Sequence, residues 1–163
     1  MDYLSKVRRL YAEAIEPYLG QPVGATNEDV IALEQEIGFV LPEAYKQYLL
    51  WMGRYYYGCF VGSEWFLQNG YNNGKKRNVL TDLDGLDLRR FTPPEHFFTF
   101  FVHQGYIAAW FTLPKEAEDP LVYAFGEGQE ITMPELKGAF TEFLLEALED
   151  IAPLTASLYN GLK

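Results

Sequence analysis

The chain has 163 residues, a single cysteine and a formal net charge of −10 at pH 7, with 48% hydrophobic and 17% aromatic residues. That length predicts one domain able to bury roughly 70% of its unfolded-state surface, with no need of a metal or disulfide to hold its core. The acidic balance argues against nucleic acid as a partner, because phosphate binding needs clustered Lys and Arg.

The first predicted element is a helix over residues 2–16, with Leu4, Val7, Leu10, Tyr11, Ala14 and Ile15 on one face. Pro17 stops it, and Gly20-Gln21-Pro22-Val23-Gly24 turns the chain. A second helix is predicted over 26–37. Thr26 is its N-cap, Asp29 stands at N3 as a variant capping box, and Val30, Leu33 and Ile37 make the apolar stripe. Glu28, Glu34 and Glu36 are left for solvent, Gly38 takes the left-handed cap position, and Phe39 folds back over the last turn. Pro42 suits the start of a third helix over 42–52, whose stripe is Tyr45, Tyr48, Leu49 and Met52 before Gly53 ends it. Both apolar faces need a further element to cover them.

Residues 55–132 form the predicted strand region. From Tyr55 to Leu67 the residues favour one or two short strands, interrupted at Gly58 and Gly62. Asn69 to Asn78 is a polar surface loop holding the basic cluster Lys75, Lys76 and Arg77. Its glycine spacing is one residue short of a phosphate-binding loop, and no Ser or Thr follows the lysines. Thr81 to Leu88 starts like a calcium loop with Asp82 and Asp84 but puts Leu86 and Asp87 where a ligand and a glycine are required, so we read a solvated turn. Phe97 to His103 and Tyr106 to Thr112 pair as a hairpin about a two-residue Gln104-Gly105 turn, and their near-continuous apolarity predicts central strands covered on both faces. Pro114 to Pro120 is an acidic loop, Leu121 to Phe125 a third strand, and Glu130-Ile131-Thr132 a short edge strand.

A C-terminal helix is predicted over 134–151, with Thr132 and Glu135 as capping box and Leu136, Phe140, Phe143, Leu144, Ala147, Leu148 and Ile151 at helical spacing. Glu142, Glu146, Glu149 and Asp150 occupy its outside. Acids in a last turn oppose the helix dipole, which leaves open whether they face a partner or carry no role. Pro153 ends the helix and residues 154–163 are a tail. Together these elements predict an α+β single domain, a mainly antiparallel twisted sheet of about four to six strands packed with the N-terminal helices and one long C-terminal helix.

Residues able to carry chemistry are few. A structural role is expected for His96 and His103. Cys59 is expected as a small buried apolar side chain, with a Cys59–His nucleophilic pair as the alternative that no motif supports. One cysteine and two dispersed histidines predict no zinc site, and no catalytic, cofactor-binding or metal-binding residue is expected. The lone cysteine fits a reducing compartment. With no apolar run behind a basic stub and no stretch of about 20 apolar residues, the expectation is a cytoplasmic protein without a membrane partner.

Two blocks carry a family resemblance. Asp29-Val30, Leu33-Glu34, Ile37-Gly38, Leu41-Pro42, Tyr45 and Tyr48-Leu49 form the first, and Phe98 to Tyr106 with Asp119-Pro120-Leu121-Val122-Tyr123 the second. In them the chain resembles the SUKH superfamily, the Smi/Knr-like domain of bacterial immunity proteins and fungal cell-wall regulators. It departs from the family pattern at His103-Gln104-Gly105-Tyr106, where many members have an Asp/Gly-rich turn, and at Met52-Gly53-Arg54. The resemblance implies a non-catalytic binder, an immunity protein whose partner is a cognate toxin domain, often a nuclease with a basic surface. A Smi/Knr-like adaptor unrelated to toxins is the alternative. A monomer or weak homodimer is expected.

Charge indicates where such a partner would bind. From Leu113 onward there are ten Asp and Glu against Lys115, Lys137 and Lys163, whereas the first 112 residues carry thirteen acids against ten bases. Glu116, Glu118, Asp119, Glu127 and Glu130 are the candidate partner-facing acids, with Trp65 as a candidate aromatic anchor. The alternative for each is a solvated loop charge, and for Trp65 a packed core side chain.

Overall fold

The computed structural model describes residues 1–54, 60, 63–65, 94–104, 107–126 and 134–161. The expected loop over Asn69 to Asn78, the turn over Thr81 to Leu88, the edge strand over Glu130 to Thr132, and Cys59, Glu127 and Glu130 lie outside them.

Helices lead the chain. α1 (Ser5–Ala14) buries Val7 and Tyr11, and α2 (Glu16–Leu19) follows at once. Pro17 therefore sits in the first turn of a second helix, where its missing N–H is not needed. Tyr11 fixes the corner by donating its hydroxyl to the Gly20 carbonyl at 2.8 Å. The next stretch runs hard against the end of a later helix, because Ala25 N–H donates to Leu49 O at 2.8 Å and Arg54 N–H to Val23 O at 2.9 Å. Gly24 permits that approach. A Cβ built there would lie 1.8 Å from the Leu50 carbonyl oxygen.

α3 (Asn27–Ile37) and α4 (Glu43–Met52) form the corner that the local signals predict. The capping box is reciprocal: Asp29 N–H donates to Thr26 Oγ1 at 3.2 Å, and Thr26 N–H to Asp29 Oδ2 at 2.8 Å. Gly38 closes α3 at φ 76°, the left-handed conformation that favours glycine. Glu34 is not simply solvated. Its carboxylate reaches across the corner to accept from Leu41 N–H at 2.9 Å.

The sheet is an antiparallel meander in the order β1 (Ser63–Glu64), β2 (Phe97–His103), β3 (Ile107–Thr112), β4 (Leu121–Gly126) and β5 (Glu135–Ala139). β2 and β3 pair from Phe97↔Thr112 to His103↔Ile107, so three residues rather than the expected two separate the paired ends. A register shift between Thr99 and Phe101 turns Phe100 and Phe101 to the same face, which is why this run does not alternate. That face packs on the helices. Tyr45 of α4 meets Phe98 and Phe111 edge-on with centroids 5.3 and 5.4 Å away, and Phe140 also at 5.4 Å. Val102, Ala108, Trp110 and Phe125 form a second buried cluster on the opposite face. Both faces of the central strands are covered.

The C-terminal helix, α5, spans Phe140–Asn160 and not 134–151. Residues Glu135–Ala139 are strand, paired with β4 through Leu121↔Ala139, Tyr123↔Leu136 and Ala124↔Glu135. Leu136 fits the helical period yet stands 54% exposed on the strand. Nor does Pro153 end α5: it lies inside the helix on the exposed side, and the chain continues helically to Asn160. Packing of the last turns carries the helix past the hydrogen bond that proline cannot make, with Thr155 buried and Tyr159 against Tyr18 at 6.0 Å.

Candidate functional site

The loop after β3 carries three of the candidate partner-facing acids, Glu116, Glu118 and Asp119, and its residues 118–120 cap two helices. Glu118 Oε2 accepts from Glu43 N–H at 3.0 Å and its carbonyl from Ala44 N–H at 2.8 Å, which satisfies two amides in the first turn of α4. Asp119 accepts from the Thr141 amide at 3.0 Å and from the Thr141 hydroxyl, and the Pro120 carbonyl accepts from Phe140 N–H at 2.8 Å, which satisfies the first turn of α5. Negative charge at a helix N-terminus is also favoured by the dipole. Lys115, 2.6 Å from Glu118, and the Glu43 amide hold the Glu118 carboxyl below its usual range. Glu116 is exposed and forms no salt bridge among the described residues.

Trp65 is 2% exposed, so it does not present an open aromatic anchor. Phe60 stacks on it at 4.3 Å, and Phe101 and Phe143 approach at 4.9 and 5.8 Å. Its burial has a consequence, because Trp65 forms part of the wall of a cavity of about 540 Å³ between the sheet and α5. Its indole N–H is buried and has no hydrogen-bond partner among the described residues.

Two stripes of α5 make the other wall. Phe143, Ala147, Ile151 and Thr155 recur four residues apart on the inner side, and Glu146, Asp150, Leu154 and Leu158 do so on the outer side. Leu154 and Leu158 are 63% and 68% exposed. Because α5 runs to Asn160, Glu146 and Asp150 lie mid-helix and do not oppose a terminal dipole. Neither forms a salt bridge among the described residues, whereas Lys137 at the cavity rim is held by Glu135 at 2.6 Å. The helical period alone puts these acids on the outside of the helix, but their union with Leu154 and Leu158 is hidden in sequence because Pro153 reads as a stop.

The histidines are engaged. His103 Nδ1 lies 2.8 Å from Ser63 Oγ across the β1–β2 pair, and His96 packs on the Phe39 ring at 4.9 Å. Among the described residues no group of three or more His, Cys, Asp or Glu is placed to hold a metal, and no helix is long and apolar enough to cross a membrane.

These features define an α+β module with helix pair, antiparallel meander and long C-terminal helix, bearing an acid-rimmed apolar cavity. The model of the SMI1/KNR4 family (SUKH-1) matches residues 24–146, and the chain belongs to that family. The family is of immunity-protein type and suggests a non-enzymatic domain. No curated protein matches the chain.

Proposed function

We propose that the chain is a non-catalytic immunity protein that neutralises a cognate bacterial toxin domain by protein–protein binding. Family membership over residues 24–146 is the observation that carries this reading. Charge supports it: the net charge of −10 and the acids Glu116, Glu146, Glu149 and Asp150, which form no salt bridge among the described residues, suit a toxin with a basic surface, such as a nuclease. Such a protein acts in the cytoplasm of the toxin producer, with no cofactor, as a monomer or weak homodimer. Of the predicted loop acids among the described residues, Glu116 is the one that the fold leaves most available to a partner. Glu118 and Asp119 offer only what their capping bonds leave over.

The test is co-expression with the toxin domain encoded directly upstream in the native genome. Rescue of growth and a one-to-one complex on purification are expected. Normal growth with the neighbouring product alone, or killing undiminished by the chain, overturns the reading and favours the Smi/Knr-like adaptor.

A further inference from the structure

We propose that the cavity between α5 and the sheet is a receptor for an arginine side chain presented by the protein partner, an inference that rests on the reading of the chain as a protein-binding module. The cavity has three properties that together select such a group. Its inner surface is aromatic and aliphatic, built from Trp65, Phe101, Phe143 and Ile151. Its outer edge carries Glu146 and Asp150, one helical turn apart and without salt bridges among the described residues. Its volume of about 540 Å³ lies within the roughly 300–1,000 Å³ typical of small-ligand sites.

An aliphatic ligand would satisfy the floor and leave the acids unused. A small inorganic cation would do the reverse. A side chain with an apolar stem and a cationic head fits both, and the aromatic rings favour the planar guanidinium of arginine over the ammonium of lysine. Lys137 does not compete for the acids, since Glu135 already holds it at 2.6 Å.

Two further observations point to an occupant. Leu154 and Leu158 extend the apolar floor outward at 63% and 68% exposure, a contiguous patch suited to cover by a partner's backbone. The indole N–H of Trp65 is a buried donor with no partner among the described residues, and burying a donor unpaired is costly. A carbonyl oxygen flanking the arginine provides an acceptor once the cavity walls adjust.

The experiment is a two-dimensional ¹H–¹⁵N NMR titration of the full chain with acetyl-Ala-Arg-Ala-amide, alongside the same peptide with neutral citrulline in place of arginine. Expected is a saturable shift of the Trp65 indole signal, with those of Trp51 and Trp110 unmoved. Citrulline should weaken binding at least tenfold, as should the double variant Glu146→Gln/Asp150→Asn. No shift at Trp65, equal binding of citrulline, or undiminished binding by the double variant overturns the proposal. A chain that fails this titration yet still neutralises its toxin loses the pocket and keeps the function. One that binds the arginine peptide but forms no toxin complex does the opposite.

Discussion

Asp29 takes part in two interactions with one carboxylate. It closes the α3 capping box with Thr26, and it receives a two-pronged guanidinium bond from Arg54, with Nη2–Oδ1 at 2.6 Å and Nε–Oδ2 at 3.1 Å. The bonds from Arg54 and Thr26 hold its carboxyl down to a pKa of about 2. A folded-state pKa below the unfolded value near 4 means that the unfolded chain binds the proton more readily. Asp29 thus contributes stability above about pH 4, and that contribution is lost as the pH falls towards 2. Urea melts of the wild type and Asp29→Asn should differ at pH 6 and converge as the pH approaches 2. A constant difference across that window would show that the charge on Asp29 does not matter. Gly24 gives a prediction of another kind. Its substitution by Ala drives a Cβ into the Leu50 carbonyl and strains the backbone bonds from Ala25 and Arg54, so Gly24→Ala should cost about 3 kcal/mol or more in urea unfolding. A cost below about 0.5 kcal/mol would show that the two segments can part freely.

At the scale of elements, the α3–α4 corner was legible because local signals mark it, even though Glu118 completes the first turn of α4: Thr26 and Asp29 start it, Gly38 turns it and Pro42 stands at the N-cap of α4. The start of α5 was not legible, because its cap comes from Asp119, 22 residues earlier. Local sequence offered Thr132 and Glu135 in its place, and pairing with β4 claimed Glu135–Ala139 as strand. Pro153 misled in the same way, since propensity describes a helix alone and packing of the last turns outweighs it. The candidate site suffered accordingly. Acidic residues were easy to find, but composition cannot separate Glu118 and Asp119, bound to helix N-termini, from Glu116, which is bound to nothing described. Substitution can. Asp119→Ala should lower stability by about 1–2 kcal/mol, Asp119→Asn by less because its amide oxygen still accepts, and Glu116→Lys by less than about 0.5 kcal/mol. Thermal or urea unfolding of the three variants measures this order, and equal effects at Asp119 and Glu116 would contradict the capping role.

At the scale of the whole molecule, the acids divide between those the fold uses and those it leaves over. Asp2, Asp29, Glu34, Glu43, Glu118 and Glu135 each have a Lys or Arg partner. Glu146, Glu149 and Asp150 have none among the described residues, and they share the exposed side of α5. Unpaired like charges on one face repel one another and slightly oppose folding, so neutralising them should not destabilise the chain. Their field, however, extends about 8–10 Å into solvent at physiological salt and steers an oppositely charged partner before contact. Two consequences can be measured together on a complex with the proposed toxin partner. Raising salt from 50 to 500 mM should slow association by about tenfold or more while changing dissociation far less. Glu146→Lys/Glu149→Lys should slow association at low salt and flatten its salt dependence, with the melting temperature unchanged or higher. Stopped-flow association and thermal melts of the same preparations provide both readings. A salt-insensitive rate in the wild type would remove electrostatic steering from the mechanism, and a salt slope unaltered by the double reversal would move the steering surface away from α5.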